Sequence, residues 1–314
     1  KYPAKEEWGK LVERPHLDVS QLNATVEGVL NDVKNNGDAA VKHYEEKFDH
    51  AHLSALAVTE AEIEEAEGLI SPELKHALEL AHHNIATFHQ SQKFEGEKVE
   101  TAPGVTCWQK SVAIEKVGLY IPGGTAPLFS TVLMLATPAK IAGCKEIVLC
   151  TPPNAEGKVN PAILMAAKIA GVSKIFKAGG VQAIGAMAYG TESVPQVDKI
   201  FGPGNRFVTH AKQLVSTHTA IDMPAGPSEG LVMADASAHA DYVAADMLSQ
   251  AEHGPDSQAI LVCNDADFAQ QVAAEVERQT AFLPRRELVE QSLSHSRIII
   301  LTTREEMLAF SNAY

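Results

Sequence analysis

Two short segments carry the side chains best suited to chemistry. One is a Gly-Pro turn that presents a hydroxyl, Gly226-Pro227-Ser228-Glu229, and the other contains the pair Gln250 and His253 just ahead of Gly254-Pro255. Residues three apart on a helix lie on the same face, so the amide oxygen and the imidazole could converge on one small cation or one polar substrate. A neutral imidazole suits zinc. The same pair also fits an ordinary polar helix end, and the spacing alone leaves both interpretations open.

The elements around these segments alternate in type from residue 117 onwards. Short apolar runs predict strands at Val117–Ile121, Ile147–Cys150, Lys174–Phe176, Lys199–Phe201, Leu231–Met233, Ala259–Val262 and Arg297–Leu301. Helical patterns lie between or after them at Phe129–Ile141, Pro161–Ala170, Val181–Tyr189, Asn205–Ser216, Ala238–Ala251, Asp265–Gln279 and Arg286–Leu293. Such alternation is typical of parallel sheets covered by helices, so the predicted fold class is α/β.

The first third of the chain reads as helical. Apolar residues recur at three- and four-residue spacing with polar residues opposite them. The predicted helices are Leu22–Asn35, Asp38–Asp49, Thr59–Ile70 and Pro72–Gln92. Thr59 and Ser71 are hydroxyl residues followed by acids, which is good chemistry for a helix start.

Three of the predicted strands run directly into a glycine-rich turn that opens a helix. These turns are Pro122-Gly123-Gly124, Gly179-Gly180 and Gly202-Pro203-Gly204-Asn205. Turns of this kind let a ligand approach the backbone and point helix amides at an anion such as a pyrophosphate. Such turns are also common strand-to-helix connections in α/β folds without any ligand. The dinucleotide-binding fingerprint G-x-G-x-x-G does not occur at the third turn. A nucleotide site is therefore one of two open interpretations.

Bulk properties exclude several classes of partner. The 314 residues carry a net charge of −14 and 45% hydrophobic residues, which argues for a globular protein and against nucleic-acid or anionic-membrane binding. The apolar runs are too short to span a bilayer. The four cysteines form no Cys-x-x-Cys pair and read as reduced thiols of a cytoplasmic protein.

Three long blocks of sequence resemble the histidinol dehydrogenase family. They are VGLYIPGGTAPLFSTVLMLATPAKIAGC at 117–144, KIFGPGNRFVTHAKQLV at 199–215, and 221–258, which begins IDMPAGPSEG and ends DMLSQAEHGPDSQ. The resemblance extends into the N-terminal helices. It implies oxidation of L-histidinol to L-histidine through a bound aldehyde, with two NAD⁺ used in turn and one Zn²⁺ per subunit. It further implies a cytoplasmic homodimer that completes histidine biosynthesis.

The resemblance also implies roles for individual positions. Tyr120, Gln182 and Asn205 match the family's NAD contacts. Ser228, Gln250 and His253 match substrate contacts, and the last two also match zinc ligands. The family fold implies two Rossmann-like parallel-sheet units with an N-terminal helical region. One unit comprises residues 1–119 plus 230–314 and the other, inserted, residues 120–229.

One expected block is absent from the sequence. The family has an Ala-Pro-Glu-His-Leu segment whose Glu and His act as general bases, and a further Asp and His complete the zinc shell. None of the four can be matched to a position up to Tyr314. We therefore expect that the C-terminal part of the family fold is absent, that the first unit is incomplete, that this chain alone is inactive, and that it binds zinc weakly or not at all.

Two other functions fit the same residues. A dehydrogenase of another vicinal alcohol, such as sulfopropanediol, would share the scaffold. A non-catalytic nucleotide-binding homologue would keep the fold and lack the bases.

Overall fold

The computed structural model describes residues 1–13, 20–123, 127–224 and 229–314. Contacts between Cα atoms divide the chain into two compact units. The large unit is Val19–Pro224, and the small unit combines Lys1–Asp18 with Ala225–Tyr314.

Helices and strands alternate along most of the chain. After a short 3₁₀ turn at Lys5–Glu7, the helices are α1 (Trp8–Leu11), α2 (Ser20–Asp49), α3 (Glu60–Gly68), α4 (Pro72–Gln90), α5 (Phe129–Ala142), α6 (Pro161–Ala170), α7 (Gly180–Tyr189), α8 (Arg206–Val215), α9 (Ala240–Ala251), α10 (Ala266–Thr280), α11 (Arg286–Leu293) and α12 (Arg304–Ala313). The strands are β1 (Val99–Ala102), β2 (Val105–Cys107), β3 (Lys116–Tyr120), β4 (Glu146–Thr151), β5 (Lys174–Lys177), β6 (Lys199–Phe201), β7 (Ala220–Ile221), β8 (Glu229–Met233), β9 (Gln258–Cys263) and β10 (Arg297–Ile300).

The large unit is built on a parallel sheet with strand order β5-β4-β3-β6-β7. Successive side chains of a strand point to opposite faces, and β4 is buried on both. Val148 and Cys150 join a core formed with α2, α7 and α8, whereas Ile147 and Leu149 join a second core formed with α3 to α6. Helices therefore cover both faces, as the near-continuous apolar strands require.

Local sequence accounts for the starts of the helices in the N-terminal region. The side chain of Thr59 accepts a hydrogen bond from the backbone N–H of Glu62, and the carboxylate of Glu62 accepts one from the backbone N–H of Thr59. This reciprocal pair is a capping box. Ser71 accepts from the N–H of Leu74, and Pro72 occupies the first helical position, where its missing N–H costs nothing. Both starts were predicted and are confirmed.

The two predicted helices 22–35 and 38–49 are joined in the structure as α2. Gly37 lies between them with non-helical angles, φ 50° and ψ −131°, and kinks the helix. The carboxylate of Glu192 accepts a hydrogen bond from the N–H of Asp38 at 2.7 Å, which satisfies a donor that the kink removes from the helical ladder.

The small unit contains a parallel sheet with strand order β10-β9-β8. Strand β9 is buried throughout. Ala259, Leu261 and Cys263 pack with α9 to α11, and Ile260 and Val262 pack in a second core with residues of α1 and α12. The mixed α/β fold class and the parallel sheets are confirmed.

The division of the chain differs from the predicted one. Residues 20–119 were expected to join the C-terminal strands, but they belong to the large unit. The reason is packing: Val26, Leu30 and Val33 of α2 share a core with Val148 of β4 and Ile184 of α7. The β1–β2 hairpin and the short strand β7 were not predicted.

Along the parts of the chain that the structure describes, no helix combines the length and the apolar character needed to cross a membrane.

Candidate functional site

The order of strands in the large unit marks a position for a ligand. The chain moves outward through β3, β4 and β5, then returns to form β6 and β7 on the other side of β3. In open parallel sheets, ligands bind outside the carboxyl ends of the strands where the order reverses, here between β3 and β6. Tyr120 ends β3, and the turn that carries Asn205 follows β6.

Tyr120 is 3% exposed, and its hydroxyl oxygen accepts a hydrogen bond from the backbone N–H of Gly180 at 3.0 Å. Burial raises the pKa of the Tyr120 phenol well above its usual value, with a smaller contribution from Glu45. The neutral phenol thus holds the turn that opens α7. This contact brings Tyr120 next to the Gly179-Gly180 turn, which immediately precedes Gln182.

Gln182 lies in the first turn of α7 and is 1% exposed. Its Nε2 donates to the Oε1 atom of Glu45 at 2.8 Å, and the N–H of Gly179 donates to the same oxygen at 2.7 Å. The Oε1 atom of Gln182 is buried without a hydrogen-bond partner among the described residues. A buried acceptor without a donor is costly, so it is a candidate for a contact with a bound molecule.

Asn205 serves as the N-cap of α8. Its Oδ1 accepts from the backbone N–H groups of Phe207 and Val208 at 3.0 and 3.1 Å. The side-chain oxygen is therefore used within the fold, and the helix amides that begin α8 face the carboxyl edge of the sheet.

The turn ahead of Asn205 is held by an ion pair between the buried Lys212 and the partly exposed Asp222. Lys212, 4% exposed, donates to the carbonyl oxygen of Gly202 at 2.8 Å and pairs with Asp222. Asp222 in turn accepts from the N–H of Gly202 at 2.8 Å. Gly202 has φ 128°, and a Cβ there would lie 2.1 Å from the carbonyl oxygen of Tyr120, so only glycine fits.

A cleft of about 560 Å³ opens at the carboxyl ends of β3 and β4. Gly123 lines it after β3, Thr151 at the end of β4, Pro152 just after β4, and Asp49 at the end of α2. Tyr120, Gln182 and Asn205 are not among its lining residues. Pro152 lies between the cleft and the Gly179-Gly180 turn. A Cβ added at Gly123 would lie 2.5 Å from its ring, and one added at Gly179 would lie 2.7 Å from it.

The small unit contains the predicted zinc ligands. Gln250 lies in the last turn of α9, and its Nε2 is buried without a hydrogen-bond partner in the described part of the chain. His253 lies just beyond the helix rather than within it, is exposed, and donates its backbone N–H to the carbonyl of Gln250 at 3.2 Å. The third predicted substrate contact, Ser228, lies outside the described residues.

The donors near Gln250 fit part of a zinc shell. The imidazole of His253 is a neutral ligand of a type that zinc accepts. The unpartnered Nε2 of Gln250 is an N–H donor, so Gln250 would bind the ion through its Oε1 atom. Across residues 1–13, 20–123, 127–224 and 229–314, however, no group of three or more His, Cys, Asp or Glu side chains is placed to hold a metal ion. The structure itself therefore does not show a metal site.

Sequence reasoning missed two groups that build the site. Glu45 gave no signal, since it sits in an ordinary polar helix pattern. Lys212 could have been found: Val208, Ala211, Lys212 and Val215 share the spacing of a buried helix face, and all four are buried.

Comparisons with known proteins agree on one family. A sequence model of the family "Histidinol dehydrogenase" matches residues 12–314. A relative named histidinol dehydrogenase from Bacteroides thetaiotaomicron is 64% identical over 315 residues, covering 100% of this chain and 74% of the relative. One from Escherichia coli O6:H1 is 53% identical over 313 residues, covering 98% of this chain and 71% of the relative.

A solved structure is also closely similar. The crystal structure of histidinol dehydrogenase from Elizabethkingia anophelis superposes with a TM-score of 0.96 at 51% identity, covering 100% of this chain and 72% of that one. The expectation that the C-terminal part of the family fold is absent is not confirmed by these comparisons.

Proposed function

The chain belongs to the histidinol dehydrogenase family, and we propose that it oxidises L-histidinol to L-histidine through L-histidinaldehyde. Two successive hydride transfers to NAD⁺ would complete histidine biosynthesis. The observation that carries this proposal is the match over residues 12–314 together with 64% identity to a relative that bears the name of this activity. The free cysteines at four positions are consistent with a cytoplasmic location.

The NAD site is proposed at the switch point of the large unit, with Tyr120, Gln182 and Asn205 as contacts. Three features support it: the carboxyl edge between β3 and β6, the unpartnered Oε1 of Gln182, and the glycine-rich turn that follows β6. When bound, NAD⁺ accepts the hydride. The chain's own contribution is to fix the turn at Gly180 through Tyr120 and the turn at Gly202 through Lys212 and Asp222.

The substrate contacts are proposed to be Ser228, Gln250 and His253, and the last two are proposed to hold Zn²⁺ when it is bound. The zinc would orient the substrate and polarise it. Gln250 and His253 supply two neutral donors, and a tight site needs a fuller shell. The Ala-Pro-Glu-His-Leu block that carries the general bases of the family does not occur among residues 1–314.

A homodimer is also proposed. The β1–β2 hairpin is exposed along all its residues, and Trp108 and Val112, which follow it in the sequence, are large exposed apolar side chains. A two-stranded hairpin is marginal by itself and an exposed apolar group of this kind is typical of an interface.

The test of the activity is the yield of NADH. The protein is mixed with limiting L-histidinol, excess NAD⁺ and Zn²⁺, and NADH is followed by absorbance, with sulfopropanediol in a parallel reaction. Two NADH per L-histidinol and none from the sulfonate are expected, and this result would show that the expectation of an inactive chain, drawn from the missing Ala-Pro-Glu-His-Leu block, is wrong. NADH from the sulfonate alone would contradict the substrate assignment. NAD⁺ binding without NADH from either alcohol would contradict catalysis by this chain and favour the non-catalytic alternative.

A further inference from the structure

Glu45 is a buried carboxyl group for which the proposed reaction gives no role. It lies on α2, has 0% exposure, and its Oε1 atom accepts hydrogen bonds from the N–H of Gly179 and the Nε2 of Gln182. Its other oxygen, Oε2, has no hydrogen-bond donor among the residues that the structure describes. An isolated buried carboxylate oxygen of this kind is costly.

Asp49 supplies a partner for that oxygen. It lies one helical turn further along α2, its carboxyl group is within hydrogen-bond reach of Glu45, and it lines the cleft at the carboxyl ends of β3 and β4. Two ionised carboxylates at this spacing repel each other. A single proton held between them removes the repulsion and turns the unsatisfied oxygen into a donor.

The surroundings favour retention of that proton. Burial, the main cause, and the nearby Asp49 together raise the pKa of Glu45 to about 7, against the hydrogen bonds from Gly179 and Gln182, which lower it. Burial likewise raises the pKa of Asp49, which His50 opposes. The other titratable groups that face Glu45 are Tyr120 at the end of β3 and Cys150 of β4, and burial keeps both of these neutral.

We propose that Glu45 and Asp49 share one proton and act as a positioning pair, which fixes Gln182 and the Gly179-Gly180 turn for NAD. This inference rests on the proposed NAD site. In the shared-proton state, Oε1 of Glu45 keeps both of its accepted hydrogen bonds while Oε2 donates to Asp49. Loss of the proton places two negative charges together beneath the turn.

The direction of the pH dependence follows from charge. The pyrophosphate of NAD is negatively charged, so a complex formed beside the Gly179-Gly180 turn disfavours a second negative charge on the pair more than the free protein does. The proton is then bound more tightly in the complex, and by linkage NAD affinity falls as the pH rises through the pKa of the pair. A difference of one pKa unit between the free and bound protein would change the affinity about tenfold.

The experiment is a calorimetric titration of the protein with NAD⁺ between pH 6 and pH 9. Wild type is compared with Glu45→Gln and Asp49→Asn, in which an amide N–H replaces the shared proton at every pH. Glu46→Gln, the exposed neighbour of Glu45, is the matched control. We expect the dissociation constant to rise about tenfold with pH in wild type and Glu46→Gln, and to stay flat in the other two variants. Equal pH profiles in wild type and Glu45→Gln would overturn the proposal.

A second measurement does not depend on the cofactor. The folded state holds a proton that the unfolded state loses at the ordinary carboxyl pKa, so the stability of wild type should fall relative to Glu45→Gln as the pH rises from 5 to 8. Parallel melting temperatures for the two proteins across this range would overturn the shared proton. If the melting curves diverge as expected but NAD⁺ binds at no pH, the shared proton stands, while the NAD site and the positioning role assigned to the pair are both refuted.

Discussion

The hydroxyl of Tyr120 makes a contact within the fold that can be tested separately from any ligand. Tyr120→Phe leaves the partly buried N–H of Gly180 without its acceptor, which costs about 1 kcal/mol, the lower end of the range for a fully buried donor. We expect the free energy of unfolding, measured by urea denaturation, to fall by that amount. Tyr189→Phe, at the half-buried end of α7, is the control and should change little. Equal effects of the two substitutions would contradict the role assigned to the hydroxyl.

At the scale of single residues, the sequence predicted part of the site. Tyr120 and Gln182 were named from a family resemblance, and the structure brings them together through Gly180. Glu45 could not be named, because Glu45 and Glu46 are adjacent acids on one helix and nothing local shows which is buried. The answer depends on Gln182, which is 137 residues away in sequence.

The turn after β6 gives a prediction at the scale of an element. Gly202→Ala would place a Cβ 2.1 Å from the carbonyl oxygen of Tyr120 at a φ of 128°. We expect a loss of at least about 2–3 kcal/mol in the free energy of unfolding and a weakening of NAD binding. Gly28→Ala in α2, where a Cβ meets nothing within 4 Å, is the control and should stabilise by about 0.5–1 kcal/mol. A well-folded Gly202→Ala protein with unchanged NAD affinity would refute this account of the turn.

The ion pair that holds the same turn is a second test. Lys212→Met leaves Asp222 without its cation, and because Asp222 is partly exposed we expect a loss of about 2–3 kcal/mol, below the range for fully buried pairs. Adding Asp222→Asn should recover part of it, which a double-mutant cycle in urea would show. Lys145→Met, which breaks an exposed pair with Glu115, is the control and should have no measurable effect. Additive effects of Lys212→Met and Asp222→Asn would contradict the coupling.

Elements were predicted best where burial imposes a pattern. All the predicted strands from residue 117 onwards occur within one or two residues of their expected ends, and β3, β4 and β9 are the most buried of these apolar runs. The β1–β2 hairpin was missed because all its residues are exposed, so it has no alternation to detect. Only the Pro103-Gly104 turn signalled it.

At the scale of the whole molecule, the assignment of α2 to α4 could not be read from the sequence. A helix pattern shows which face is apolar and not which sheet it covers. The structure places these helices on the two cores of the large unit, against the predicted division.

The proposed dimer is testable at this scale. Light scattering at micromolar concentration should give twice the 33.7 kDa mass of the chain. If the apolar side chains near the β1–β2 hairpin are covered by the second copy, Trp108→Glu should shift the mass toward the monomer, and Tyr242→Glu, another exposed aromatic, should not. A monomeric wild-type protein would refute the dimer, and a dimer insensitive to Trp108→Glu would refute this interface.

The central claim is that the large unit binds NAD at its sheet's switch point, and the most direct measurement is a calorimetric titration with NAD⁺ at pH 6.5 of wild type and Gln182→Leu. The account predicts one NAD⁺ per chain in wild type and at least about tenfold weaker binding when the unpartnered amide oxygen is removed. Leu214→Met, a conservative change on α8, is the control for folding and should bind as wild type does. No binding by wild type, or equal binding by Gln182→Leu, would contradict the account.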